Sequence, residues 1–134
     1  MLLYVCISCK KEIHEEKITI IDSFVSEINS DSKLKEMSIN GITECDGTVG
    51  IIHKDFYSEK PKMLKKISDI ELGDSVINTS SYFHNNKLIY IDVKFKNKVL
   101  QKVYVENDSI LSKLNNNYDA ENLIKTANHF LHSF

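Results

Sequence analysis

The feature that most narrows the possible folds is a hairpin pattern that occurs twice in the second half of the chain. Tyr82-Phe-His-Asn-Asn-Lys-Leu-Ile89 aligns with Tyr104-Val-Glu-Asn-Asp-Ser-Ile-Leu111 at a spacing of 22 residues. Each copy starts on an aromatic residue, crosses a polar turn and returns on apolar residues. Tyr57-Ser-Glu-Lys-Pro-Lys-Met-Leu64 is a looser third copy with one insertion. Over residues 87–96, Ile89, Ile91, Val93 and Phe95 alternate with Tyr90, Asp92 and Lys94. That alternation predicts a half-buried antiparallel strand. A strand over 99–106 follows Asn97-Lys98, and one over 110–114 follows Asn107-Asp108. Asparagine and aspartate tolerate left-handed backbone, so both dipeptides read as tight turns. Upstream, 48–57, 63–67 and 75–83 complete about six strands, with Pro61 in a turn. Consecutive hairpins make a meander, which has one face to bury.

Two helices supply the cover. Ile21, Phe24, Val25 and Ile28 recur at helical spacing, and Ile18 and Ile20 extend the pattern. They predict a helix over about 15–30, ended by Asn29-Ser-Asp-Ser32, with Leu34 and Met37 adding a further turn. At the C-terminus Ala120, Leu123, Ile124, Ala127, Phe130, Leu131 and Phe134 form an apolar stripe, with Asp119 placed to cap it. The expected architecture is α+β: an N-terminal helix, an antiparallel meander of about six strands, and a C-terminal helix packed on one face. That helix should cover Ile89, Ile91, Val93 and Phe95.

With 134 residues, 42% apolar and 27% charged, and a single proline, the chain has material for one folded domain. No apolar run approaches the roughly 18 residues of a membrane-spanning helix. The formal charge of −2 offers no field for nucleic acid. All seventeen basic residues are lysines, so the rigid guanidinium fork that grips phosphates is missing. Three cysteines cannot build a disulfide framework.

The N-terminus, Met1-Leu-Leu-Tyr-Val-Cys-Ile-Ser-Cys9-Lys-Lys11, is a short apolar run ending in a small residue and a cysteine. It resembles the lipobox of bacterial lipoproteins, with Cys6 where leucine is usual. The resemblance implies a signal over 1–9, cleavage before Cys9, and a lipid anchor on Cys9. Residues 10–17 would be a charged tether and 18–134 a single α+β domain. The protein would then sit in the cell envelope, at the periplasmic face or outer membrane, with Cys45 its remaining thiol. Read instead as a redox motif or half a zinc site, Cys6-x-x-Cys9 lacks the strand–helix junction or the second pair those chemistries need. Tyr82-Phe-His-Asn-Asn-Lys-Leu-Ile-Tyr-Ile91 and its echo at Tyr104 resemble the repeated "YYFxNGKLIxV" hairpins of small Bacteroidetes-type lipoproteins. Here Asn86 stands where the turn glycine is usual. That likeness covers about 48–134 and implies no catalytic residues.

Candidate chemistry is sparse, and neither a metal site nor a cofactor is expected. His129 and His132 are spaced to chelate, but no carboxylate or cysteine accompanies them, so they read as a solvent-facing pair. Ser80 and Ser81 fall in a strand, outside any nucleophile elbow. Lys60, Lys62, Lys65 and Lys66 read as a solvated basic face. The remaining candidates are Tyr82, Tyr90 and Tyr104, whose placement on one strip depends on strand register, either as an open interaction face or packed beneath the helices. The resulting expectation is a membrane-anchored, non-catalytic binding protein with a protein partner, for example an inhibitor or immunity protein. Alternatives are a small-ligand carrier or sensor, and a hydrolase assembled around His53 or His84.

Overall fold

The structure is a computed structural model, describing backbone at residues 2–31, 35–43, 49–57, 64–72 and 77–133, and side chains at 14–31 and 77–129. Helix α1 (Leu2–Ser30) is followed by strands β1 (Lys35–Thr43), β2 (Val49–Tyr57), β3 (Leu64–Leu72), β4 (Ile77–His84), β5 (Lys87–Phe95), β6 (Lys98–Glu106) and β7 (Ser109–Leu114), then helix α2 (Ala120–Ser133). All strand pairs are antiparallel and the sheet order follows the chain order. The α+β plan of helix, antiparallel sheet and helix is therefore present. Its strand count differs from the expected six. Four strands, β4–β7, carry described side chains, and backbone pairing continues the same sheet through β1–β3.

The strand that sequence reasoning missed is β1. Met37, expected to prolong the first helix, pairs with Asp55 of β2. Met37 and Ile39 alternate with Ser38 and Asn40, a period of two that a helix cannot use. Helix α1 ends at Ser30, whose hydroxyl donates back to the carbonyls of Ser26 and Glu27. At its other end the helix reaches back to Leu2, so the 10–17 stretch expected as a tether is helical in its backbone. Pro61, Cys45 and Leu34 lie outside the described residues. So do the side chains of Cys6, Cys9, His53, Phe130, Leu131, His132, Phe134 and the lysines at 60, 62, 65 and 66.

The turns explain the repeat. Asn85–Asn86 (φ 53° and 61°), Lys96–Asn97 (47° and 68°) and Asn107–Asp108 (50° and 62°) each place two residues at positive φ. That is the two-residue turn whose twist matches the flanking strands. No glycine follows Gly73, so asparagine does most of this work through its tolerance of left-handed backbone. The middle turn was expected at Asn97-Lys98 and falls one residue earlier, closed by the pairing of Phe95 with Lys98. With that shift the turns recur every 11 residues. The 22-residue repeat is two such units, the distance at which a meander returns to the same end of the sheet.

Each of these hairpins carries a bulge at the same place. Tyr82 pairs with Tyr90 while Phe83 pairs with Leu88, which leaves Ile89 extra. The pairings Val93–Gln101 and Lys94–Val99 leave Leu100 extra, and Tyr104–Ser112 and Val105–Ile110 leave Leu111. A bulge reverses the in–out alternation beyond it. Ile89 accordingly packs with the α1 cluster and Ile91 with the α2 cluster, on opposite faces. Of Ile89, Ile91, Val93 and Phe95, all expected under α2, Ile91 packs in the α2 cluster and Ile89 packs on the α1 side, which corrects that expectation.

Over β4–β6, where side chains are described, both faces of the sheet are covered. Under α2, Ala120, Ile124 and Ala127 pack with Phe83, Leu88, Ile91, Val103 and Val105. Under α1, Ile21 and Ile28, flanked by Ile18 and Val25, pack with Tyr82, Tyr90 and Tyr104. Ile20 falls off the α1 stripe and is 50% exposed.

Candidate functional site

The tyrosine strip exists, and α1 lies on it. Tyr82 and Tyr90 are direct cross-strand partners, as are Tyr90 and Tyr104. Their ring centroids are 5.5 Å and 5.1 Å apart, tilted at 51° and 55°, the offset geometry that aromatic quadrupoles favour. Without the Ile89 bulge, Tyr82 would face Ile89, and Tyr90 would point to the α2 side. All three rings are buried. The Tyr82 hydroxyl donates to Asn29 Oδ1 at 3.0 Å, and the Tyr104 hydroxyl donates to Asp22 Oδ1 at 2.7 Å. These tyrosines thus form the seat of α1, and the reading of them as an open interaction face is corrected. Their apolar rings and polar tips suit a helix that offers isoleucines flanked by polar residues.

This seat is built for neutral phenols. Burial, and then the charge of Asp92, push Tyr82 up to about 12. Tyr90 is raised further by the same two causes in the same order. Tyr104 is raised by burial and by its hydrogen bond to Asp22, since only a protonated phenol can donate to a carboxylate. Asp22 and Asn29 were not singled out from the sequence. Each follows a buried isoleucine, Ile21 or Ile28, and they stand seven residues apart on one helix face, which was the available signal.

Opposite this seat, Gln101 anchors the approach to α2. It is fully buried, and its amide donates to the Tyr118 carbonyl at 2.9 Å while accepting from the Tyr118 N–H at 2.7 Å. One residue on, Asp119 Oδ1 accepts from the N–H groups of Glu121 and Asn122, at 3.0 Å and 3.4 Å. The expected cap is in place.

Two surface features remain open. Strand β7 is the last in the sheet and pairs only with β6. Around it Ile110, Leu114 and Tyr118 are 37%, 54% and 38% exposed. A groove of about 660 Å³ runs between β7 and α2, with Ile110 and Ile124 in its wall and Glu121 and Lys125 on its rim. The second feature is a groove of about 310 Å³ between α1 and the turns 85–86 and 107–108. Ile20, Ile21, Leu88 and Ile89 line it, and Lys17, Lys87 and Glu106 stand at its edge. Lys17 Nζ donates to Glu106 Oε1 at 2.9 Å.

Among the other candidates with described side chains are His84, Ser80 and His129. His84 stacks on Phe24, with centroids 4.0 Å apart at 18°. Ser80 donates to Asn78 Oδ1 at 3.3 Å. His129 is exposed on α2. Among the described residues no three of His, Cys, Asp and Glu gather where they could hold a metal ion, and no helix is long and apolar enough to cross a membrane. The chain matches no protein-family model, and no curated protein or solved structure matches it either.

Proposed function

We propose that the protein is a non-catalytic binding protein of the cell envelope, held there by a lipid on Cys9, and that β7 is the edge it offers to a protein partner. The observation that carries this reading is the β7 border. An edge strand presents unpaired backbone donors and acceptors, and extended partner segments add to such edges. The charge on β7 is confined to Lys113, and the bulge at Leu111 leaves Ser112–Leu114 as the regular part of that edge. Exposed Ile110 lines the α2 groove, and exposed Leu114 and Tyr118 add apolar surface for such a segment. An inhibitor or immunity protein that occupies an envelope enzyme or toxin is the concrete form of this role. The apolar run ending at Cys9 supports the lipid anchor, and the hairpins at Tyr82 and Tyr104 support kinship with small envelope lipoproteins.

Cross-linking in solubilised envelope, followed by mass spectrometry, tests the edge. A partner should be captured by the native protein and by Lys125→Ala, and lost with Ile110→Lys combined with Leu114→Lys. Capture unaffected by that double variant, or no capture by the native protein, would overturn the reading. For the anchor, Cys9→Ala should move the protein from the detergent phase to the aqueous phase, and Cys6→Ala should not.

A further inference from the structure

The groove beneath α1 is separate from the β7 edge and has its own chemistry. Ile20 is a large aliphatic side chain left half in water, off the stripe that seats the helix. With Ile21 and Ile89 it makes an apolar floor. Exposed apolar area favours cover by about 25 cal/mol per Å². The edge of the groove is not electrically neutral. Lys17 and Glu106 bond each other, so their charges cancel locally, whereas Lys87 has no ion pair among the described residues. A point cation over an aliphatic floor calls for a ligand with an apolar body and one anionic head. The head is better a carboxylate than a phosphate monoester, because one ammonium balances a single negative charge and the monoester carries about 1.5 to 2. Size narrows it further: about 310 Å³ lies at the small end of the roughly 300–1,000 Å³ typical of ligand sites.

We propose that this groove binds a small amphipathic carboxylate, with its chain on Ile20, Ile21 and Ile89 and its carboxylate at Lys87. The repeat provides the setting. Turns 85–86 and 107–108 are the same turn one full repeat apart, so both border the groove. The bulge at Ile89 aims that side chain toward α1. Two of the three elements of the site therefore follow from the hairpin unit, and α1 closes it.

The probes are octanoate and octanol, titrated into the full chain by calorimetry, with backbone amide shifts recorded by NMR. Octanoate should bind and shift Ile20, Ile21, Lys87 and Ile89, and octanol should bind about tenfold more weakly, since it lacks the charge-assisted contact. Lys87→Gln should weaken octanoate about tenfold and leave octanol unchanged. Ile20→Asp sets a carboxylate against the ligand's own and should abolish octanoate binding. Both substituted residues are exposed, so thermal melts should match the native protein and separate lost binding from lost fold. Failure of octanoate to bind, equal binding of octanol, indifference to Lys87→Gln, or shifts confined to other regions would each overturn the proposal.

Discussion

The two faces of the sheet are covered by helices in physically different ways. Under α2 the contact is apolar and mostly aliphatic, with the Phe83 ring among the aliphatic side chains, and the helix arrives from the adjacent strand through a short connection. The Gln101–Tyr118 bonds span 17 residues and the Asp119 cap spans three at most. Under α1 the contact is aromatic with polar tips, and its bonds join residues 53 and 82 positions apart. Closing a longer loop costs more chain entropy, though only slowly with length. The larger difference is specificity. Aliphatic surfaces accept many registers of a helix, whereas Tyr82 and Tyr104 hydroxyls that must meet Asn29 and Asp22 define one.

The largest expected effect lies under α2. Ile124→Asp would bury an unpaired carboxylate among Phe83, Leu88 and Val103 and should destabilise the domain by more than about 4 kcal/mol, read as loss of the cooperative thermal transition. If the variant folds normally, the aliphatic face is not the main source of stability. Gln101→Leu comes next, at about 1–3 kcal/mol, because it strands both backbone groups of Tyr118. Tyr104→Phe should cost less, about 1 kcal/mol, since exposed Asp22 regains water. Denaturant melts that reverse the order of these two would break the contrast between the faces.

Alkaline pH should act selectively on the tyrosine face. Tyr82 titrates near 10.0 when unfolded and at about 12 in the fold, so the folded state holds its proton more tightly. The resulting stabilisation is complete below pH 10 and is lost as pH rises toward about 12. Tyr90 and Tyr104 are raised too and add to the same loss. A triple variant with phenylalanine at 82, 90 and 104 should keep its stability across that window. An identical alkaline decline in both proteins, followed by circular dichroism, would count against the neutral-phenol seat.

The smallest effect sharpens the account of the hairpins. In the three described two-residue turns Lys96 is the one residue that is neither asparagine nor aspartate, and it sits at φ 47°. Lys96→Gly should stabilise by about 0.5–1 kcal/mol, whereas Asn86→Gly should gain less, because asparagine already tolerates that backbone. Equal gains at both sites would show that the side chain at 96 carries no strain.

Much of this was legible in the residues themselves. The Ala120–Ala127 part of the α2 stripe and its Asp119 cap, the Ile21–Ile28 face of α1 and the turn at Asn107–Asp108 are local features, and each folded where the local pattern placed it. The turn at Asn97 was read one residue late because asparagine suits either turn position, and only strand pairing chooses between them. The start of strand β1 reads as a last helical turn because Met37 is compatible with both states until a partner strand pairs with it. The bulges at Ile89, Leu100 and Leu111 had no signal in composition or spacing. They arise only when two strands pair around a turn, and each reverses every side chain beyond it. By itself, then, the sequence determined the two helix faces, the hairpin repeat and most of its turns, because those depend on neighbouring residues and on backbone preferences. The tertiary structure alone decided which face each side chain took. It brought Tyr90 into line with Tyr82 and Tyr104, and it laid α1 across them, because side-chain alternation has a period of two and a single unpaired residue inverts it.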